Sequence, residues 1–139
     1  MKVIFLDIDG VLNGHEFNEA AQSNSIDRPC MERLNRILRE TKARIVISSA
    51  WRYMVHGGAM TVKGFDYLLR SHGLNAGCVI DVTCPDETFG DGLRKFGDRW
   101  QQIELWLSQH PEVTSYVVLD DEPPGLIACN DRDRMVTTD

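Results

Sequence analysis

The chain has 139 residues, 42% of them hydrophobic and 26% charged, with a formal net charge of −6. That length suits one domain, residues 1–139, around one core, and no apolar run nears the roughly 20 residues that a membrane helix needs. The acidic balance argues against tight, nonspecific gripping of nucleic acid through its phosphates, which usually goes with a basic excess.

The four cysteines, Cys30, Cys78, Cys84 and Cys129, show no Cys-x-x-Cys pairing and no histidine at ligand spacing. They read as free thiols in a reducing compartment. With no cleavage pattern after the N-terminal run, the expected location is cytoplasmic, away from membranes.

The first element is a short apolar run, Lys2-Val3-Ile4-Phe5-Leu6, which reads as a buried strand. It ends in Asp7-Ile8-Asp9-Gly10. Two acids so close repel one another unless a cation sits between them. A polar stretch from Gly14 to Asp27 reads as a loop or small flap. Asp27 then caps a helix with Pro29 in its first turn, and Met31, Leu34, Ile37, Leu38 and Thr41 form its apolar face. Ala43 to Ile47 is a second strand, ending in Ser48-Ser49. Thr61 caps a second helix that buries Phe65, Leu68 and Leu69 and stops at His72-Gly73. Cys78 to Val82 is a third strand. Thr83 to Asp98, with four acids, three glycines and a proline, reads as a long loop. Asp98 caps a third helix that buries Trp100, Ile103, Trp106 and Leu107 and ends at His110-Pro111. Tyr116 to Leu119 is a fourth strand running into Asp120-Asp121-Glu122, and Met135-Val136-Thr137 is a short last strand.

Strands separated by helices of this length imply parallel βαβ units. Right-handed crossovers put the loops after each strand on one edge of the sheet. Asp7, Ser48, the loop after Val82 and Asp120 are therefore expected to converge, and ligands bind at that carboxyl edge in open α/β sheets.

Acids at two strand ends suit one divalent metal. A phosphoryl group resists attack by an anion, and a Mg²⁺ ion bridging nucleophile and phosphate removes that obstacle. In this arrangement Asp7 gives a carboxylate to the metal and is also positioned to attack phosphorus, forming an aspartyl-phosphate. Asp9 offers its backbone carbonyl to the metal and its side chain as acid to the leaving group, then as base to water. Asp120 and Asp121 complete the metal shell. Ser48, with neighbouring N–H groups and the adjacent Ser49, faces a phosphate oxygen. Arg99, opening the third helix, is the first candidate for the neutralising cation, and Lys95 is the second. Trp51 and Arg52 are candidates to stack on and pair with a nucleotide substrate, against the plainer reading of a packed Trp beside an Arg stem.

The series Asp7-Ile8-Asp9-Gly10-Val11, Ile45-Val46-Ile47-Ser48, Arg99, and Val117-Val118-Leu119-Asp120-Asp121 resembles the four motifs of the haloacid dehalogenase (HAD) superfamily of phosphohydrolases. Ser48-Ser49-Ala50-Trp51-Arg52, Ile103 to Leu107 and Leu119 to Glu122 are similar to a small branch without a cap, which includes the domains grouped with Swiss Army Knife RNA-repair proteins. The resemblance implies a three-layer, doubly wound parallel α/β sheet in strand order 3-2-1-4-5, with no cap domain. It also implies Asp7 as nucleophile, Asp9 as acid/base and the Asp120/Asp121 pair as metal carboxylates. Arg99 stands where the family more often has lysine, which keeps the charge and changes its geometry.

Neither Gly14 to Asp27 nor Ala50 to Asp98 leaves room for a lid beyond the core's own elements. An open site suits a bulky phosphate: a nucleotide, a nucleic-acid end or a phosphoprotein. The expected activity is Mg²⁺-dependent phosphomonoester hydrolysis. Two rivals use the same residues: a phosphotransferase with an alcohol acceptor, and a non-enzymatic switch phosphorylated on Asp. Receiver-type switches lack an acid two residues after the phosphorylated one, so Asp9 speaks against the second.

Overall fold

The first strand, β1 (Lys2–Leu6), is buried on both sides from Val3 onward, as its unbroken apolar run requires. The computed structural model describes residues 1–8, 11–12, 26–49, 51, 53–83, 99–120 and 135–137. In chain order, β1 is followed by α1 (Arg28–Thr41), β2 (Arg44–Ile47), α2 (Tyr53–His56), α3 (Val62–Ser71), β3 (Val79–Val82), α4 (Arg99–Ser108), β4 (Ser115–Asp120) and β5 (Met135–Thr137). The strands form one parallel sheet in the order β3-β2-β1-β4-β5.

Strand alternation splits the core into two layers. Ile4, Leu6, Ile45 and Ile47 point to one face, where Met31 and Leu34 of α1 and Phe65 and Leu69 of α3 cover them. Val3, Phe5, Val46 and Val118 point to the other, where Ile103 and Trp106 of α4 cover them. Phe5 sits at the centre of that second layer, edge-on to Trp106 at 5.4 Å and to Tyr116 at 5.8 Å. The chain builds outward through β2 and β3 with α1 and α3 on one face. It then crosses to β4 on the far side of β1, with α4 on the opposite face. The strand order therefore reverses between β1 and β4.

Asp27 occupies the cap position of α1 in extended backbone, with proline in the first turn, but its side chain makes no capping bond. Thr61 caps α3 through its hydroxyl, which accepts from the Gly64 N–H at 2.9 Å. Gly73 closes α3 with φ +113°, and a Cβ there would meet the Met31 side chain at 3.3 Å. That close approach explains why His72-Gly73 is a usable stop signal.

Some details differ from the sequence expectation. Ile37 stays 37% exposed, and Asn35 takes the buried place on α1. Its amide donates to the Gly73 carbonyl at 2.8 Å and its oxygen accepts the Asn75 N–H at 2.9 Å. A polar residue is thus what seats α1 on the turn after α3, which periodicity of apolar residues cannot signal. The four-residue α2 stands between Ser49 and Thr61, where the pattern of apolar residues marks no element. Ile80 is 39% exposed because β3 lies at the sheet edge. No described helix is long and apolar enough to cross a membrane.

Candidate active site

The carboxyl edge is built by ladder bonds that run past the strand ends. The Asp7 N–H donates to the Leu119 carbonyl at 3.0 Å, and the Ser48 N–H donates to the Leu6 carbonyl at 2.9 Å. The Thr83 N–H donates to the Ile47 carbonyl at 3.0 Å. Leu6 is in register with Ile47 on one side and with Leu119 on the other. Thr83, Ser48, Asp7 and Asp120 therefore stand in one row across four adjacent strands.

This row spans the point where strand order reverses, between β1 and β4, which is the usual crevice for ligands in such sheets. Side-chain parity sharpens the picture. Asp7 follows Val3 and Phe5 in alternation, Ser48 follows Val46, and Asp120 follows Val118. All three belong to the face that α4 covers, and α4 begins at Arg99.

These groups are deeply enclosed. Asp7 is 3% exposed, Asp120 2% and Ser48 0%. The Asp7 Oδ1 accepts the Ile8 N–H at 2.9 Å, which orients the carboxylate at the strand end. Bringing two carboxylates out of water onto neighbouring strands is costly unless a cation or a proton offsets them. The Ser48 hydroxyl is buried with no hydrogen-bond partner among the described residues. An orphaned buried hydroxyl is rare in folded proteins and calls for an explanation such as an absent ligand.

Ser49 is buried beside it, and its Oγ accepts the Trp51 N–H at 3.2 Å. Trp51 packs against the α1/α3 layer, its ring tilted over Phe65 at 6.3 Å. Asp9, Arg52, Lys95 and Asp121 lie outside the described residues, as do Asp98 and residues 14–25 of the flap. Arg99 opens α4, and only its backbone position is described.

The loop after Val82 reaches this edge as expected, and two particulars of how it does so have no signal in the sequence. Thr83 is fully buried at the fourth position of the row, its hydroxyl 3.4 Å from the Ile47 carbonyl. The His56 Nε2 lies 3.0 Å from the Thr83 carbonyl, tying α2 to the end of β3. Neither has a local motif. His56 gains its role only because β3 pairs with β2, which brings residues 27 positions apart into contact.

Oxygen donors of this kind fit a hard divalent cation such as Mg²⁺. Among the described residues two carboxylates, Asp7 and Asp120, stand at the reversal point, and no group of three metal-binding side chains forms. The two further metal ligands expected from sequence, the Asp9 backbone carbonyl and the Asp121 carboxylate, lie outside the described residues.

Comparison with known proteins identifies the family. The family described as the HAD domain in Swiss Army Knife RNA repair proteins matches residues 3–139. No curated protein and no solved structure gives a significant match. The family match covers the strand, the hydroxyl-bearing end of β2, α4 and the acidic end of β4 in one span, and by that match the chain belongs to this family of HAD-type domains.

Proposed function

We propose that the chain is a Mg²⁺-dependent phosphomonoester hydrolase that works through an aspartyl-phosphate on Asp7. Membership of a HAD domain family supports hydrolase chemistry of this general type. The observation that carries the finer reading is the row at the carboxyl edge: two buried carboxylates at the reversal point beside a buried hydroxyl with no partner among the described residues.

An Asp7 oxygen attacks phosphorus in line as the ester oxygen leaves, so one P–O bond forms and one breaks. Asp9, protonated, gives its proton to the leaving oxygen. As a carboxylate it then takes a proton from the water that attacks the phosphoryl group, and Asp7 departs as a free carboxylate. Ser48 donates its hydroxyl proton to a phosphoryl oxygen, which gives that buried hydroxyl the partner it lacks among the described residues. Arg99, at the start of the helix covering that face, neutralises the remaining charge, with Lys95 as the other basic candidate. Asp7, Asp9, Asp120 and Asp121 would hold Mg²⁺, which supplies charge neutralisation between the nucleophile and the phosphoryl oxygens.

For substrate, we favour the terminal phosphate of a nucleotide or nucleic-acid end. The described elements hold no inserted lid domain over the edge, and the family's description refers to RNA repair. Ser49, Trp51 and Arg52 follow β2 and are the contacts proposed for the substrate beyond its phosphate.

The test is phosphate release with and without Mg²⁺ across nucleotides, phosphorylated oligonucleotide ends, sugar phosphates and phosphopeptides. Mg²⁺-dependent turnover of nucleotides or oligonucleotide ends is expected. Labelled phosphate transiently bound to protein and released by hydroxylamine should accompany it. Turnover without any such adduct in rapid-quench samples would refute the covalent route. Turnover restricted to sugar phosphates would refute the substrate class.

A further inference from the structure

The opposite edge of the sheet carries a different chemistry. A cleft of about 360 Å³ opens where the last turn of α1, the start of β2 and the turn before β3 meet. Arg39, Lys42 and Arg44 line it, together with Asn75, Gly77 and Cys78. Among the described residues no Asp or Glu lines it. Residues 28–44 hold six Lys/Arg against two Glu, a net of +4 in a chain of net −6. This stretch is locally basic in an acidic chain.

Helix polarity alone does not account for this cluster. Cations in a last turn do offset the carbonyl end of a helix dipole, and Arg39 fits that role. Arg44 does not, since it is the first residue of β2. Lys42 sits at φ +60°, the left-handed conformation in which α1 terminates and which favours glycine. A side chain there costs about 1 kcal/mol of backbone strain.

The neighbouring carboxylates are already engaged. Glu40 pairs with Arg36 at 3.2 Å. The Asp66 Oδ1 accepts the N–H groups of Cys78 and Val79, both at 2.9 Å, and its Oδ2 lies 4.0 Å from Arg70. The Cys78 thiol at the cleft floor is pushed up to about 11 by burial and by the charge of Asp66, against an opposing pull from Arg44, so it brings no negative charge of its own. Arg44 is braced by a bond from its guanidinium to the Gly77 carbonyl at 3.3 Å, which leaves its other N–H groups available for an anion.

We propose that this cleft is a second binding site, for a small oligophosphate such as pyrophosphate or a nucleoside di- or triphosphate, held by Arg39, Lys42 and Arg44. Three cations around one cavity suit a ligand with several adjacent negative charges better than a single carboxylate. The volume is in the range of small-ligand pockets. The site is separate from Asp7 and Ser48: Arg44 and Ser48 are opposite ends of one strand, about 13 Å apart at the usual rise per residue. It does not depend on the phosphatase reading.

The probe is inorganic pyrophosphate, titrated into the full chain in EDTA and followed by amide chemical shifts and by calorimetry. Shifts are expected at Arg44, Asn75, Ala76 and Gly77. Asp7→Asn should bind equally well, whereas R39Q/K42Q/R44Q should bind at least tenfold more weakly. Ala76→Asp, on the exposed turn, keeps the test open should the triple variant fold poorly, and should weaken binding severalfold. Parallel titrations with a nucleoside diphosphate and with an unphosphorylated oligonucleotide distinguish the source of the phosphates. Tighter binding of the diphosphate supports the proposal. Binding of the oligonucleotide alone, shifts confined to Asp7, Ser48 and Thr83, or equal affinity in the charge variants would overturn it.

Discussion

The two ends of strand β2 face opposite problems. At its carboxyl end Ser48 is sealed in beside buried Asp7 and Asp120, while at its amino end Arg44 stands in solvent near Arg39 and Lys42. Carboxylates buried on neighbouring strands are costly to keep charged unless the groups around them offset the charge, and a bound cation is one such group. Exposed cations are cheap to maintain, so the amino edge tolerates its charge with no ligand at all. The contrast separates two kinds of site. One is preorganised at a cost to stability and suits chemistry; the other is solvated, salt-sensitive and suits reversible binding.

The largest way to break this comparison is to remove the nucleophile. Asp7→Asn should lower kcat on a confirmed substrate by at least about a thousandfold, because covalent catalysis is lost outright. Wild-type turnover in Asp7→Asn would end the nucleophile assignment. Asp120→Asn should cost less, about a hundredfold, and most of that loss should be recovered at high Mg²⁺ if the residue acts by holding the metal. A loss that Mg²⁺ cannot rescue would mean that Asp120 serves some other purpose.

Much of this edge is legible in the order of residues alone. A run such as Val3 to Leu6 ending in Asp7 announces a buried strand with an acid at its tip, and the alternation of strands and helices fixes which tips share an edge. The strand order expected from the family resemblance is the one observed, β3-β2-β1-β4-β5. What stayed hidden depends on contacts distant in sequence. Asn35 reads as one more polar residue on an amphipathic helix, yet it bridges to Gly73 and Asn75. Thr83 opens the loop expected at this edge, yet its complete burial beyond Ile47 has no signal in the sequence. Arg39, Lys42 and Arg44 are exposed charges that only the packing of the turn before β3 beside them brings to one cleft.

Ser48 offers a sharper test, because its two effects should have opposite signs. Its buried hydroxyl has no partner among the described residues, so Ser48→Ala removes a desolvated polar atom at little cost in packing. The variant should be more stable than wild type by about 1 kcal/mol without ligand. It should also lose about tenfold to a hundredfold in kcat, with a smaller change in KM, as removal of a donor to the transition state predicts. Thermal melts in EDTA and steady-state kinetics read the two effects separately. Loss of stability together with loss of activity would show that the hydroxyl serves the fold.

The smallest effect concerns the floor of the amino edge. The Cys78 thiol titrates near 11, against an ordinary 9.0, chiefly because it is buried. Its thiolate is therefore scarce at pH 8, and alkylation should run about a hundredfold slower in the folded chain than in urea, from the difference in ionised fraction alone. Linkage gives the companion result. Below pH 9 the thiol is protonated in both states and stability is unaffected by it. As pH rises from about 9 towards 11, the unfolded chain releases its proton first, so this group's contribution to stability falls across that window. Cys78→Ala should flatten that part of the stability profile. Its counterpart Cys30, also a free thiol but half-buried on α1, gives the internal reference for reagent access. Equal alkylation of the two at pH 8 would show that the Cys78 thiol is open to water, so that burial does not hold back its ionisation even at the solvated edge.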